Sequence, residues 1–235
     1  MQDDGLKPKT INIYMKCMST MYSQFVLDNN YAVGNPFYST PRPNVKKRDV
    51  IALSVNEYNG LINKIINMGL NSYTIATLLA LCAGLRANEC ISEKWKHNYG
   101  NRMHIVGTKT ESSDATVPIS SKLKDALTEW KDIQQSEMKK YDLEQTDETY
   151  IVTDFDFKEL EYHKLNTWWR KVRKQLEMEE YRFHDLRHLF VSYCVMQKLP
   201  PEVTQKLARH ARFQTTMDIY SHLNDSYLDD YAARL

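Results

Sequence analysis

At 235 residues, with 42% hydrophobic and 11% aromatic side chains, the chain is long enough for one large domain or a domain with a small partner, and too apolar to be disordered. Its 7 Gly and 7 Pro argue against a loop-rich or repetitive fold, and no internal period is visible. The net charge of +1 excludes little by itself, but its distribution is uneven. Residues 164–212 hold 11 Lys/Arg against 5 Asp/Glu, whereas residues 129–161 hold 4 against 11. A basic face beside an acidic back suits a protein that docks one side on a polyanion. Ordinary solvated helix faces are an equally good account of the same charges. No apolar run is long enough to span a bilayer, and the opening MQDDGLKPKT lacks the apolar stretch of a signal peptide. Cys17, Cys82, Cys90 and Cys194 stand apart with no pair at metal-ligand spacing, as expected for reduced thiols in a cytosolic protein.

In chain order, Thr10 to Asn30 reads as an amphipathic helix, with Ile11, Met15, Met18, Tyr22, Phe25 and Val26 on a common side. Tyr31 to Asp49 carries three prolines, a glycine and the basic cluster Lys46, Lys47 and Arg48, which is a linker by composition. One good helix cannot bury a core of its own. Residues 1–44 are therefore expected to be the tail of a helical domain plus linker, and residues 45–235 the main domain. Val50 to Leu53 reads as extended, and Ser54 with Glu57 forms a capping box that starts a helix running to about Met68. Ser72 to Leu85 is an apolar helix loosened at its end by Gly84, with Arg86 directly after it.

Three short β pieces are expected next, at Trp95–His97, Met103–Val106 and Ala115–Ile119, the last two joined as a hairpin. Helices follow at Ser121–Lys140 and His163–Leu176, with a short extended piece, Tyr150–Thr153, between them. The expected class is mainly α with a small antiparallel β-sheet.

The stretch from Tyr181 to Tyr220 organises the rest. His184, Asp185, Leu186, Arg187 and His188 lead into an apolar helix, which a Pro200-Pro201 break separates from a second one ending in Ala208-Arg209-His210. Tyr220 stands ten residues past His210. His184 and Arg187 at i and i+3 share a helical face, and cationic donors with a phenol nearby suit one phosphate. Singly, each has a plainer reading. Most of the 15 tyrosines belong in cores, and His210 suits a helix C-terminus. His184 and Arg187 suit a surface pair capped through Asp185, Arg86 suits an ion pair with Glu89, and Lys109 a solvated turn.

Taken together, these residues resemble the tyrosine recombinases, the phage integrase family, from about Leu53 to the end. Arg86 falls in Gly-Leu-Arg-Ala-Asn-Glu, like the family's Gly-Leu-Arg-x-x-Glu. Lys109 falls in Thr-Lys-Thr ahead of Thr116-Val117-Pro118-Ile119, like the family's hairpin lysine and the strand after it. His184 and Arg187 match the His-x-Leu-Arg-His box, and His210 and Tyr220 keep the family's spacing. Two departures stand out: Arg209 occupies the place of a usual glycine, and Cys90 that of an aliphatic residue.

The resemblance implies a 3′-phosphotyrosyl mechanism without cofactor or metal. Arg86 and Arg187 would hold the non-bridging oxygens, Lys109 would protonate the 5′-oxygen, and His184 would assist proton transfer. His210 would donate to the phosphate and Tyr220 would attack it. Glu89 and Asp185 would support them. Lys46, Lys47, Arg48, Arg209 and Arg212 would contact DNA. The implied partners are double-stranded attachment sites and three further copies in a tetramer, with the terminal helix, Asn224 to Leu235, docking in trans. Residues 1–44 would end a core-binding domain, and the place of action would be the bacterial cytoplasm at the nucleoid, with no membrane. A topoisomerase-like relaxer and a DNA-binding relic without catalysis are the alternatives.

Overall fold

The structure, a computed structural model, describes residues 5–31, 33–45, 52–107 and 114–225. It divides into two compact units, Met1–Asp49 and Val50–Leu235. In the first, α1 (Pro8–Asp28) begins with proline in its first turn, where a missing N–H costs nothing. Asn35 ties the returning chain to this helix: its Nδ2 donates to the Ser19 carbonyl at 2.8 Å and to Ser23 Oγ at 2.7 Å. Its Oδ1 accepts from Phe37 N, capping a one-turn 3-10 helix at Pro36–Tyr38. Of the expected apolar side, Ile11 and Met15 are buried, whereas Met18 and Phe25 are exposed. Among the described residues of this unit only the short returning segment packs on α1, which is too little surface to cover the whole stripe.

The second unit opens with α2 (Val55–Asn67), started by the expected capping box: Ser54 Oγ accepts from Glu57 N, and Glu57 Oε2 from Ser54 N. Next is α3 (Ser72–Ala83), capped by Asn71 and buried on nearly every side. It packs against α2, against α5 (Ser121–Lys139) and against α7 (Asp185–Met196). The Tyr58 hydroxyl donates to the Leu81 carbonyl, and its ring stacks on Tyr193 at 4.2 Å, so α2, α3 and α7 lock together.

After α4 (Ala87–Ser92) come β1 (Arg102–Ile105) and β2 (Ala115–Pro118), antiparallel, with Arg102 opposite Pro118 and Ile105 opposite Ala115. The expected third β piece, Trp95–His97, is instead a one-turn 3-10 helix. Isolated bridges flank it, Lys94 with Tyr150 and Asn98 with Met103, so the chain must turn between two partners. The Trp95 indole N–H donates to Gln134 at 2.7 Å and fixes that turn from inside. Tyr150–Thr153 likewise contributes bridges rather than a strand. The remaining helices are α6 (Tyr162–Gln175), α8 (Pro201–Ala208) and α9 (Phe213–Asp225). The expected extension of the last helix through Leu235 lies, after Asp225, outside the described residues. Among the described residues no helix is long and apolar enough to cross a membrane.

Among the described residues two apolar clusters result. The larger surrounds α3, and the smaller gathers Phe190, Val191, Cys194, Val195, Ala208, Ile219, Tyr220 and Leu223 from α7, α8 and α9. They meet at Gly84, which ends α3 in the left-handed region at φ 63°. A Cβ there would lie 2.5 Å from Phe190 Cδ1. Glycine is thus required twice, for the backbone and for the ring of α7. Gly84→Ala is expected to lower stability by about 1–3 kcal/mol from overpacking alone, read as a fall in the urea midpoint at unchanged m-value. An unchanged midpoint would show that Phe190 yields freely.

Candidate active site

The site grows from the turn at the C-terminal end of α3. Arg86 is the N-cap of α4, and Glu89, three residues on, is 1% exposed. Its Oε1 accepts from Arg86 Nη1 at 2.6 Å. Its Oε2 accepts from the Arg86 backbone N at 2.8 Å and from Arg209 Nη2 at 2.9 Å. Arg187, one turn into α7, brings its Nη1 to 3.9 Å from the same oxygen, while its hydrogen bonds go to the carbonyls of Gly84, at 2.7 Å, and Ala208. Burial alone would push the Glu89 carboxyl up, but the Arg209 charge and the bonds from Arg86 outweigh it and hold it below the usual range. Burial, then Arg86 and Arg209, brings Arg187 down to about 9, which leaves it charged at neutral pH.

His210 follows the left-handed residue Arg209 that ends α8. Its Nδ1 lies 2.9 Å from Thr216 Oγ1, and its carbonyl accepts from Gln205 Nε2. Burial first, then Arg187 and Arg86, pushes the imidazole down to about 3, so it is neutral at physiological pH. His184 is the N-cap of α7 rather than a residue within it, and by area it is exposed. Desolvation, then His188 and Arg187, holds its ring down to about 4, and the ring meets that of His188 edge-on at 5.2 Å. Asp185 is buried and accepts from the backbone and guanidinium of Arg182, fixing the entry to α7.

Tyr220 is brought to the neighbourhood by α9 but faces elsewhere. Its ring is part of the smaller cluster, its hydroxyl lies 2.7 Å from Thr204 Oγ1, and it donates to the Leu199 carbonyl. Burial raises its pKa above the ordinary phenol value. The structure thus gathers Arg86, Arg187, His210 and Glu89, places His184 close enough to sense both arginines, and leaves the Tyr220 hydroxyl tied to the start of α8. Lys109, Lys46, Lys47 and Arg48 lie outside the described residues; β1 and β2 bracket the segment that holds Lys109. Arg212 is exposed. Arg209 is the correction: the sequence offers it to DNA, yet its side chain is 0% exposed and its guanidinium is spent on Glu89 and on carbonyls. Among the described residues no three His, Cys, Asp or Glu side chains converge as metal ligands.

An open cleft of about 600 Å³ runs from His210 between α8 and β2, lined also by Arg102 and Lys206. A second groove, of about 490 Å³, carries Arg170, Arg173 and Arg182 together with Asn166 and Thr167. Neither groove, nor the Thr204 and Thr216 hydroxyls on Tyr220 and His210, was anticipated from sequence. Spacing along one helix does not reveal what faces it. A further buried carboxyl, Glu93, lies 2.8 Å from His97 Nδ1 and accepts from Val106 N just before the hairpin segment; burial pushes it up to about 8.

A profile described as the phage integrase family matches residues 52–227. The chain belongs to the phage integrase family. Among curated relatives of this family member, the ICEBs1 integrase of Bacillus subtilis (strain 168) is 24% identical, over 100% of this chain and 67% of its own length. The integrase of Escherichia phage P2 is 24% identical over 97% of this chain and 60% of its own length. The chain thus spans about two thirds of one relative and less of the other. The fold matches the Tn1549 transposon integrase in complex with transposon right end DNA (TM-score 0.72, 16% identity, 100% of this chain and 82% of that one). It also matches a lambda integrase tetramer bound to a Holliday junction (TM-score 0.67, 17% identity, 89% of this chain and 60% of that one).

The histidines set a pH dependence with a definite sign. His210 titrates in the unfolded chain near 6.5 and in the folded protein near 3. As pH falls, the unfolded chain takes the proton first, so stability present above pH 6.5 is lost on acidification. His184 adds a contribution of the same sign. Glu93 opposes them: its stability is complete below 4.5 and is lost as pH rises through about 8. His210→Gln is therefore expected to flatten the acid side of the stability curve, by on the order of 2 kcal/mol at pH 5 at 1.36 kcal/mol per pH unit. Parallel wild-type and variant melting curves between pH 7 and 5 would exclude His210 as the source.

Proposed function

We propose that this chain is the catalytic part of a site-specific DNA recombinase that cuts and rejoins strands through a 3′-phosphotyrosyl intermediate, serving integration and excision of a phage or other mobile element. The observation that carries it is the convergence of Arg86, Arg187 and His210 on one turn, in a member of this family. Arg86 and Arg187 bind the non-bridging oxygens of the scissile phosphate, where a guanidinium fork matches two oxygens as an ammonium does not. His210, neutral, donates its ring N–H to the same group. The Tyr220 oxygen attacks phosphorus, and the bond to the 5′-oxygen breaks. His184 assists removal of the phenolic proton, and Lys109 supplies a proton to the leaving 5′-oxygen. The phosphotyrosyl ester keeps the bond energy, so attack by a 5′-hydroxyl reverses the step without a nucleotide cofactor. Glu89 orients the arginines and Asp185 the entry to α7.

Residues 1–44 act as the end of a helical core-binding domain with its linker, and residues 45–235 as the catalytic domain. Lys46, Lys47, Arg48 and Arg212 contact phosphates, joined by Arg170 and Arg173 of the second groove. The assembly on paired DNA sites is a tetramer, with the segment after Asp225 docking in trans. The protein works in the bacterial cytoplasm at the nucleoid.

The tie between Tyr220, Thr204 and Leu199 is a resting arrangement that DNA must open. It also favours, as a second reading, a protein that binds DNA without cutting it. A nicked suicide duplex bearing the candidate attachment site separates the two. A denaturation-resistant protein–DNA band, absent in Tyr220→Phe, is expected; a mobility shift without a band would support the binding-only reading. Relaxation of a supercoiled plasmid carrying a single site would favour a topoisomerase-like enzyme. Tyr220→Phe also strands the Thr204 hydroxyl and the Leu199 carbonyl, and is expected to cost about 1–3 kcal/mol of stability in a chemical melt.

Phosphate contacts have a separate signature. Arg212→Ala is expected to weaken duplex binding about equally for all sequences and to reduce the slope of log K against log salt by about 1. A titration series at several salt concentrations reads it directly, and an unchanged slope would remove Arg212 from the interface.

A further inference from the structure

Arg209 is the residue whose placement is hardest to explain locally. It sits at φ 53°, ψ 47°, a conformation glycine adopts freely and a side chain resists. Its guanidinium is fully buried, and its Nε has no hydrogen-bond partner among the described residues. Strain and a stranded donor at one position persist only where the surroundings over-determine them, and such positions gather at functional sites.

What surrounds it is specific. Nη2 donates to Glu89 Oε2 at 2.9 Å and to the Gly84 carbonyl at 3.2 Å. Nη1 donates to the carbonyls of Ala83 at 3.3 Å and Leu207 at 3.2 Å. Its own carbonyl faces Arg86 Nη2 at 3.5 Å, and the next residue is His210. One side chain therefore clamps the end of α3 to the end of α8 and touches the hub on which both other arginines depend.

The 3.9 Å gap between Arg187 Nη1 and Glu89 Oε2 is the informative distance. A buried carboxylate takes a hydrogen-bonded cation wherever one is in reach. Arg187 is within about 1 Å of becoming that cation, and Arg209 already holds the place. We infer that Arg209 is a positioning residue: by saturating Glu89 it keeps Arg187 on the carbonyls of Gly84 and Ala208 instead of on the carboxylate. This rests on the proposed phosphate-binding role of Arg86 and Arg187. Three guanidinium groups against the single charge of Glu89 also leave an excess of two positive charges. That matches a phosphodiester whose negative charge grows as the phenol adds. Arg209 supplies part of this field from inside the protein, where salt screens it much less than at the surface.

The test compares Arg209→Met and Arg209→Lys with wild type by three measurements. These are the single-turnover rate of the covalent band on the nicked duplex, the duplex Kd with its salt slope, and the Arg187 guanidinium resonances in a 15N-labelled sample. Arg209→Met is expected to slow the covalent step about 10- to 100-fold, leave Kd and salt slope unchanged, and shift the Arg187 resonances as that group moves onto Glu89. Arg209→Lys, which keeps the charge, recovers part of the rate. Should Arg209→Met fail to fold, Arg209→Gly removes the side chain while relieving the backbone. Arg187 resonances that stay in place in a folded variant would overturn the inference. So would an unchanged rate at saturation with a salt slope smaller by about 1, which would make Arg209 a phosphate contact. Absence of a covalent band in wild type would sink the phosphotyrosyl reading, while the Arg187 resonances would still decide the role of Arg209.

Discussion

The buried Glu89 carboxylate is the constraint on which the rest depends. A lone carboxylate at 1% exposure would be neutral or would not be there. Here it is ionised because two guanidinium groups and a backbone N–H bond it, and because a third guanidinium stands close by. The dependence is mutual. Arg187 and Arg209 are buried cations that the fold tolerates only beside that charge and the carbonyls at two helix ends. Removing any member leaves the others buried without compensation, so these groups behave as one unit.

That unit sits where it does because of how the helices end. The α3 helix stops at Gly84 and the α8 helix at Arg209, both in the left-handed conformation. Each stop leaves carbonyls without intrahelical partners. Ordinarily water or a following N–H satisfies such groups; here arginine side chains also reach them. The close approach of Phe190 to Gly84 brings α7, and with it Arg187, against the end of α3. Packing of an apolar ring thereby places a buried cation. The end of α8 hands the chain to His210 one residue later, so the imidazole inherits its position from the same junction.

Tyr220 obeys different forces. Its ring contributes to the smaller apolar cluster, and its hydroxyl is satisfied by Thr204 and the Leu199 carbonyl. A phenol buried in this way resists ionisation. The arginine unit is held together by Glu89, while the Tyr220 hydroxyl is held by separate partners in the smaller cluster.

Much of this was legible from residue order. The capping box at Ser54, the apolar run that becomes α3, Gly84 before Arg86, and the ordered appearance of Arg86, His184, Arg187, His210 and Tyr220 are local or linear properties, and they specify both the fold class and the family. Local pattern failed where the partner is distant. Trp95–His97 has strand composition but turns as a 3-10 helix, because bridges to Tyr150 and Met103 and the bond to Gln134 bend it. Met18 and Phe25 follow the helical period yet lie exposed, since period says which side is apolar and not what covers it. Arg209 reads as a surface cation beside a histidine. Only the tertiary structure places Glu89, 120 positions earlier in the chain, against it. Sequence determines which charges exist and in what order; which of them face solvent and which face one another is decided by burial, a property of contacts between segments far apart in the chain.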